Sequence, residues 1–246
     1  MSDGRTDNST HVAADSSPDT SADVAADSSA NTSAHAAADT GRAGLVLAAG
    51  PSRGFPTIDK ALAPLDDTPL LAHATATLSP AVDELIVTCR ADQRDAFAKV
   101  VDDDCRLVSH IADDHKLRAE LHTALGATDA TYAAVLPVGM PFLPTGFIDF
   151  LFAQSRTETG AVPSVEGQHQ SVPAVVHVRA ATAACVDAQQ NGETTLAAVI
   201  EALGPVVVPD RTVAAYVEPG AFRTIETHEE LAAAQSHRRQ PNQKLP

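Results

Sequence analysis

The sequence predicts a three-layer α/β domain whose sheet is mainly parallel and flanked by helices. Two observations predict it. Short apolar runs alternate with segments of helical period over four successive units. The run Ala133-Ala134-Val135-Leu136-Pro137-Val138 is almost wholly apolar, as a strand covered on both faces requires. Gly44-Leu45-Val46-Leu47-Ala48 opens the pattern as a buried strand stopped by Gly50 and Pro51. Pro69 opens a helix that places Leu70, Leu71, Ala74 and Leu78 on one face. Glu84–Cys89 reads as the second strand, and Asp92 as the cap of a helix carrying Ala96, Phe97 and Val100. Arg106-Leu107-Val108 is the third strand, Leu117–Leu125 a helix, and 133–138 the fourth strand. A helix over Phe147–Phe152 follows, then strands at 161–163 and 172–176, helices at 180–188 and 195–203, and a strand at Val206–Val208. Thr227 starts a last helix, with Glu229 and Glu230 in its first turn, where the helix dipole favours acids.

The chain divides into three parts. Residues 1–42 contain no Leu, Ile, Phe, Tyr or Trp and cannot bury enough apolar surface to offset ordering entropy, so they read as a disordered acidic tail. Within them, His11–Ser17 returns as Asp23–Ser29, a period of twelve too apolar-poor to stack as a solenoid. Residues 43–235 read as one ordered domain and 236–246 as a frayed, polar end.

Composition excludes several classes. Lys+Arg number 17 against 32 Asp+Glu, a net charge of −15, which argues against general nucleic-acid binding. No apolar run is long enough to span a membrane, and the N-terminus lacks a basic-then-apolar secretory pattern. Cys89, Cys105 and Cys185 form no metal-binding spacing and read as small buried hydrophobes in a reducing cytoplasm. The acidic excess and the four lysines suit a high-salt cytoplasm, where screening makes the charge tolerable.

In open parallel sheets the ligand sits beyond the carboxyl ends of the strands. Leu47, Ala48, Ala49 and Gly50 leave the first strand as small residues that let backbone amides approach an anion. Ser52 adds a hydroxyl, and Arg53 and Lys60 add positive charge to a chain poor in it. Such a loop suits a triphosphate, although it contains neither GxxxxGK[ST] nor GxGxxG. A surface loop with two solvated cations is the competing reading. Lys116 and Arg118 either meet phosphates or face solvent as helix-surface charges. Asp102–Asp104 reads as a solvated acidic loop, and His110 and His115 lack a convincing ligand spacing.

The stretch Leu47–Leu62 resembles the Leu-Ala-Gly-Gly … Arg-Met-Gly … Asp-Lys-Ala-Leu signature of nucleotidyltransferases that make molybdopterin dinucleotides and nucleotide-sugars. Molybdenum cofactor guanylyltransferases are the nearest match. Leu65–His73, Val135–Leu143 and Phe222–Leu231 resemble three further family segments in the family's order. The resemblance implies a Rossmann-like nucleotidyltransferase fold and transfer of NMP, as GMP from GTP, to a phosphorylated acceptor such as molybdopterin, with release of pyrophosphate. It implies that the backbone from Leu47 to Gly50 contacts base and phosphates, with Ser52 and Arg53 nearby, and that Lys60 neutralises charge at the α-phosphate. It places Arg90 near the base, Asp113 or its neighbour Asp114 after the third strand, and Mg2+ between phosphate oxygens.

The departures from the family pattern are specific. Gly54-Phe55-Pro56 replaces Arg-Met-Gly, and Gly139 stands where the family has a magnesium-binding Asp. Asp113, Asp114, Glu120, Glu166 or Glu226 could supply the missing carboxylate. An Asp restored at 139 is expected to raise turnover if the rest of the site is intact. The alternative is a relative that binds nucleotide but has lost its chemistry.

Overall fold

The computed structural model describes residues 41–110 and 117–239. In chain order the elements are β1 (Arg42–Leu47), β2 (Pro64–Leu65), β3 (Thr68–Pro69), α1 (Leu70–Leu78), β4 (Glu84–Cys89), α2 (Arg94–Phe97), β5 (Arg106–Ser109), α3 (Leu117–Leu125) and β6 (Tyr132–Pro137). They continue as α4 (Thr145–Gln154), β7 (Gly160–Val165), β8 (Gln168–His169), β9 (Ala174–His177), α5 (Val178–Gln190), α6 (Leu196–Leu203), β10 (Val206–Val208), α7 (Asp210–Val213) and α8 (His228–Arg239).

One sheet runs in the order β10-β7-β9-β6-β1-β4-β5, with β8 paired to β7. β1 is parallel to β4 and β6, and β4 to β5. β9 is antiparallel to both β6 and β7. The chain therefore moves outward from β1 through β4 to β5, then returns to add β6 on the other side of β1. That reversal opens a crevice at the carboxyl ends of β1 and β6, the place where doubly wound sheets bind ligands.

Alternation along the strands builds a core on each face. Val46, Val87 and Leu136 pack with Leu70, Leu71, Phe147 and Leu151 from α1 and α4. Leu45, Leu47, Ile86 and Val135 pack with Leu121, Cys185, Val199 and Ile200 from α3, α5 and α6. Local chemistry sets several boundaries. Thr195 caps α6 by accepting the Ala198 amide at 3.2 Å, and Gly204 ends that helix in the left-handed region at φ 58°. Asp66 and Asp67, at φ 51° and 65°, form the tight turn of the β2–β3 hairpin.

The predicted alternation holds, but several details differ. The helix after β4 is a single turn, and Asp92 pairs with Arg90 instead of capping it. α8 continues through Ser236 to Arg239, where a frayed end was expected. Arg118 faces neither phosphate nor solvent: it is buried, donating to Cys185 O at 3.3 Å and Gln189 Oε1 at 3.4 Å, and so ties α3 to α5. Of the acidic tail expected over residues 1–42, residues 1–40 lie outside the described residues, as do Asp113, Asp114, His115 and Lys116, whereas Arg42 belongs to β1. Asp102–Asp104 are exposed, and His110 Nδ1 lies 2.9 Å from Thr123 Oγ1.

Candidate active site

The loop that leaves β1 is held from three sides. Beneath it, the Thr88 hydroxyl on β4 accepts the Ala48 amide at 3.1 Å, and Glu120 on α3 accepts the Ala49 amide at 2.8 Å. Thr88 donates in turn to the Glu120 carboxylate. Of the backbone from Leu47 to Gly50 that the sequence offered to base and phosphates, the Ala48 and Ala49 amides are thus engaged inside the protein. Beside the loop, the Arg90 guanidinium donates to Ala49 O and Gly50 O at 3.1 Å each and to Asp59 Oδ2 at 3.2 Å. Gln93 adds a bond to the same Asp59 oxygen at 2.6 Å, and its own Oε1 accepts the Arg90 amide at 2.7 Å. Across the loop, Ser52 Oγ accepts the Lys60 amide at 2.8 Å, which closes the two ends on each other. Asp59 caps the short turn Lys60–Leu62 through the Ala61 amide at 2.9 Å. Arg90, expected near a base, therefore acts as a staple between β4 and the loop.

Glu120 is 3% exposed. Burial pushes its carboxyl above the ordinary range, against the hydrogen bonds from Thr88 and the Ala49 and Ala48 amides and the charge of Lys60. The folded state then binds the Glu120 proton more readily than the unfolded state does. The stability linked to that proton is full below the ordinary carboxylate value and is lost as pH rises through the folded one. The near-isosteric Glu120→Gln removes this dependence. Thermal unfolding of both proteins from about pH 4 to about pH 7 is expected to show the wild type losing stability relative to the variant. A difference in Tm that stays constant with pH would exclude a raised Glu120.

The C-terminal segment closes the other wall. Ile225 N donates to Gly139 O at 2.7 Å, just beyond β6, and His228 N donates to Gly54 O at 3.0 Å. Gly54 pairs with Thr227 as an isolated parallel bridge. Thr227 and Glu230 cap α8 reciprocally: Thr227 Oγ1 accepts the Glu230 amide at 3.2 Å, and Glu230 Oε2 accepts the Thr227 and Glu226 amides at 3.0 and 2.6 Å. These bonds fix the backbone from which Glu226 reaches the loop.

The result is a cleft of about 510 Å³ lined by the loop from Leu47 to Lys60, Pro137 and Val138 after β6, Leu117 at the start of α3, and Glu226 and Thr227. Arg53 is exposed at its edge. Lys60 lines it, and its ammonium is paired: Nζ lies 2.7 Å from Glu226 Oε2. The Lys60 side chain is 14% exposed and that of Glu226 55% exposed, so an incoming anion can exchange with the carboxylate. Among the described residues no three His, Cys, Asp or Glu side chains converge as a metal-holding group. Asp59 and Glu226 are the carboxylates of the cleft wall, and both Asp59 oxygens already accept bonds. Glu166 lies in the turn between β7 and β8, outside this cleft.

Residues 44–206 match the model of the MobA-like NTP transferase domain. The chain belongs to that family. It is a nucleotidyltransferase, with the polyphosphate-sized cleft where the sheet topology places it. A protein of Haloferax mediterranei named probable molybdenum cofactor guanylyltransferase is 44% identical over 200 residues, which cover 81% of this chain and 95% of the relative. The structure of molybdopterin-guanine dinucleotide biosynthesis protein A from Archaeoglobus fulgidus superposes with a TM-score of 0.67 at 17% identity, covering 80% of this chain and 99% of that one. The fold is shared more widely. A 4-diphosphocytidyl-2C-methyl-D-erythritol synthase from Anaerococcus prevotii superposes with a TM-score of 0.66 at 15% identity, over 82% of this chain and 97% of that one. Fold alone therefore does not select the base.

Within this family member, Leu47, Ala48, Gly50, Arg53 and Lys60 come together on the cleft, while Ala49, Ser52 and Arg90 shape the loop. Two residues were undervalued in the sequence. Gln93 gave no signal, being one polar residue just before a short helix. Glu120 was one acid among several until its burial beneath the loop became visible. Among the described residues, no helix is long and apolar enough to cross a membrane.

Proposed function

We propose that the chain transfers GMP from GTP to the terminal phosphate of molybdopterin. An oxygen of the acceptor phosphate attacks the α-phosphorus, the α–β phosphoanhydride bond breaks, and pyrophosphate leaves with the bonding electrons. The single observation that carries this reading is Lys60, an ammonium held by a closed loop at the carboxyl end of β1 and facing a cleft large enough for a nucleotide. Lys60 stabilises the negative charge that grows on the phosphate oxygens, from a position fixed before the substrate arrives. Guanine and molybdopterin are taken from the name borne by the 44% identical relative. A divalent cation, Mg2+ by its chemistry, supplies charge neutralisation across the phosphate oxygens when bound, and Glu226 is the cleft carboxylate available to it. The reading includes a reducing cytoplasm, supported by the free thiols of Cys89, Cys105 and Cys185. The reading of a relative without chemistry is not favoured beside so close a relative.

Incubation with GTP, Mg2+ and molybdopterin is expected to release pyrophosphate, with ATP and CTP slower by about tenfold or more. No release with any of the four nucleotides and a panel of phosphorylated acceptors would overturn the proposal. Faster release with CTP than with GTP would overturn the choice of guanine.

A further inference from the structure

We propose that Glu226 is the carboxylate that engages the divalent cation of a bound metal–GTP complex, and that Lys60 is released to the phosphates in the same exchange. The inference rests on the nucleotidyl-transfer reading above and adds to it the residue that stands in for an acid at position 139.

Three observations carry it. The first is steric. A Cβ built on Gly139 would lie 2.9 Å from Ile225 O and 3.0 Å from Glu226 Oε1, so the Glu226 carboxylate reaches into the space that a side chain at 139 would need. The carboxyl end of β6 thus receives its acid from the segment that crosses it and not from the residues that follow the strand. The second is electrostatic. Glu226 Oε2 lies 2.7 Å from Lys60 Nζ. A polyphosphate that approaches Lys60 must meet that carboxylate at close range, and like charges so near oppose each other strongly. A divalent cation between them turns the repulsion into coordination, using one protein carboxylate and several phosphate oxygens, the arrangement Mg2+ favours. The third is mechanical. The Glu226 backbone is held by Glu230 and, through its neighbours, by Gly139 and Gly54, whereas its side chain is 55% exposed. The anchor stays still while the carboxylate turns from Lys60 to the metal. Asp59 cannot take the same part, because Arg90, Gln93 and the Ala61 amide already bind its oxygens.

Manganese(II) serves as the probe, because its paramagnetic resonance reports coordination without turnover. Its affinity is measured for the full chain loaded with GTP, in the absence of acceptor. Glu226→Gln is expected to weaken Mn2+ binding to the GTP-loaded protein by about tenfold or more. GTP binding without any divalent ion is expected to stay equal or tighten severalfold, because Lys60 is freed and a negative charge removed. Glu226→Asp, which keeps the charge on a shorter arm, is expected to recover part of the Mn2+ affinity. Circular dichroism checks that each variant is folded. Mn2+ affinity within about twofold of wild type in a folded, GTP-binding Glu226→Gln overturns this inference and leaves nucleotidyl transfer standing. Failure of the wild-type chain to bind GTP overturns both.

Discussion

Lys60→Ala is expected to lower kcat by roughly 10²–10³, the loss that follows removal of one preorganised charge donor from a transition state. The variant is unusually clean. The loop is closed by the backbone amide of Lys60 on Ser52 Oγ, not by the side chain, and the Asp59 cap of the following turn uses Ala61. Truncation at Cβ therefore removes the ammonium and leaves the frame of the loop in place. The ion pair it breaks has a half-exposed acidic partner, so the loss of folding stability is at most about 1 kcal/mol. Thermal unfolding should be nearly unchanged while turnover collapses. The KM for GTP should rise less than kcat falls, because a charge aimed at the reacting α-phosphate acts more strongly on the transition state than on the ground state. Lys60→Arg should recover little. The guanidinium is a planar fork with a different reach from the compact ammonium that lies 2.7 Å from Glu226 Oε2. A fall in kcat below about threefold for Lys60→Ala would remove Lys60 from the reaction and leave it a partner of Glu226 alone.

What could be read from the sequence was local, and what could not was made by contacts between distant segments. Leu117–Leu125 and Val206–Val208 appear with the predicted bounds, because periodicity and apolar runs act within a few residues. The direction of β9 was not legible: an apolar run such as Ala174–Val176 looks the same in either direction, and only its antiparallel pairing with β6 and β7 shows which way it runs. The β2–β3 hairpin was missed because two-residue strands carry no period. In the site, the resemblance located Lys60, and the cleft lies where strand order predicts a ligand. Ala48 and Ala49 look available in a line of text, but Thr88 and Glu120, about 40 and 70 residues away, consume them. Arg90, which the resemblance places near the base, is bound to two carbonyls and Asp59.

The second large effect concerns Gly139, where family resemblance and structure predict opposite signs. From the motif alone, Gly139→Asp restores a lost ligand and raises turnover. In the structure, a Cβ at 139 meets the backbone oxygen of Ile225 at 2.9 Å and Glu226 Oε1 at 3.0 Å. Gly54 faces the same segment from the other side, and its Cβ would lie 2.1 Å from Glu226 O and 2.8 Å from the Thr227 Cα. Two departures from the family pattern therefore share one cause: residues 225–227 pass between Gly54 and Gly139, and only residues without a side chain let them through. Glu226 is the third member of the set, since that path is what brings its carboxylate to Lys60. Restoring one member without the others is expected to destabilise the fold by about 1–3 kcal/mol, the usual cost of overpacking. For a domain of this size that lowers Tm by roughly 2–4 °C per kcal/mol. Turnover of Gly139→Asp should fall as well, because a second carboxylate beside Glu226 displaces the one already placed against Lys60. Gly139→Ala isolates the steric part and should show most of the drop in Tm with no added charge. Combining Gly139→Asp with Glu226→Ala should recover only part, since the Ile225 oxygen belongs to the backbone and remains in the way. The two changes touch, so their effects should not add. A Gly139→Asp protein that melts at the wild-type temperature and turns over faster would mean that the 225–227 segment yields freely, and the steric coupling of the two glycines would be lost with it.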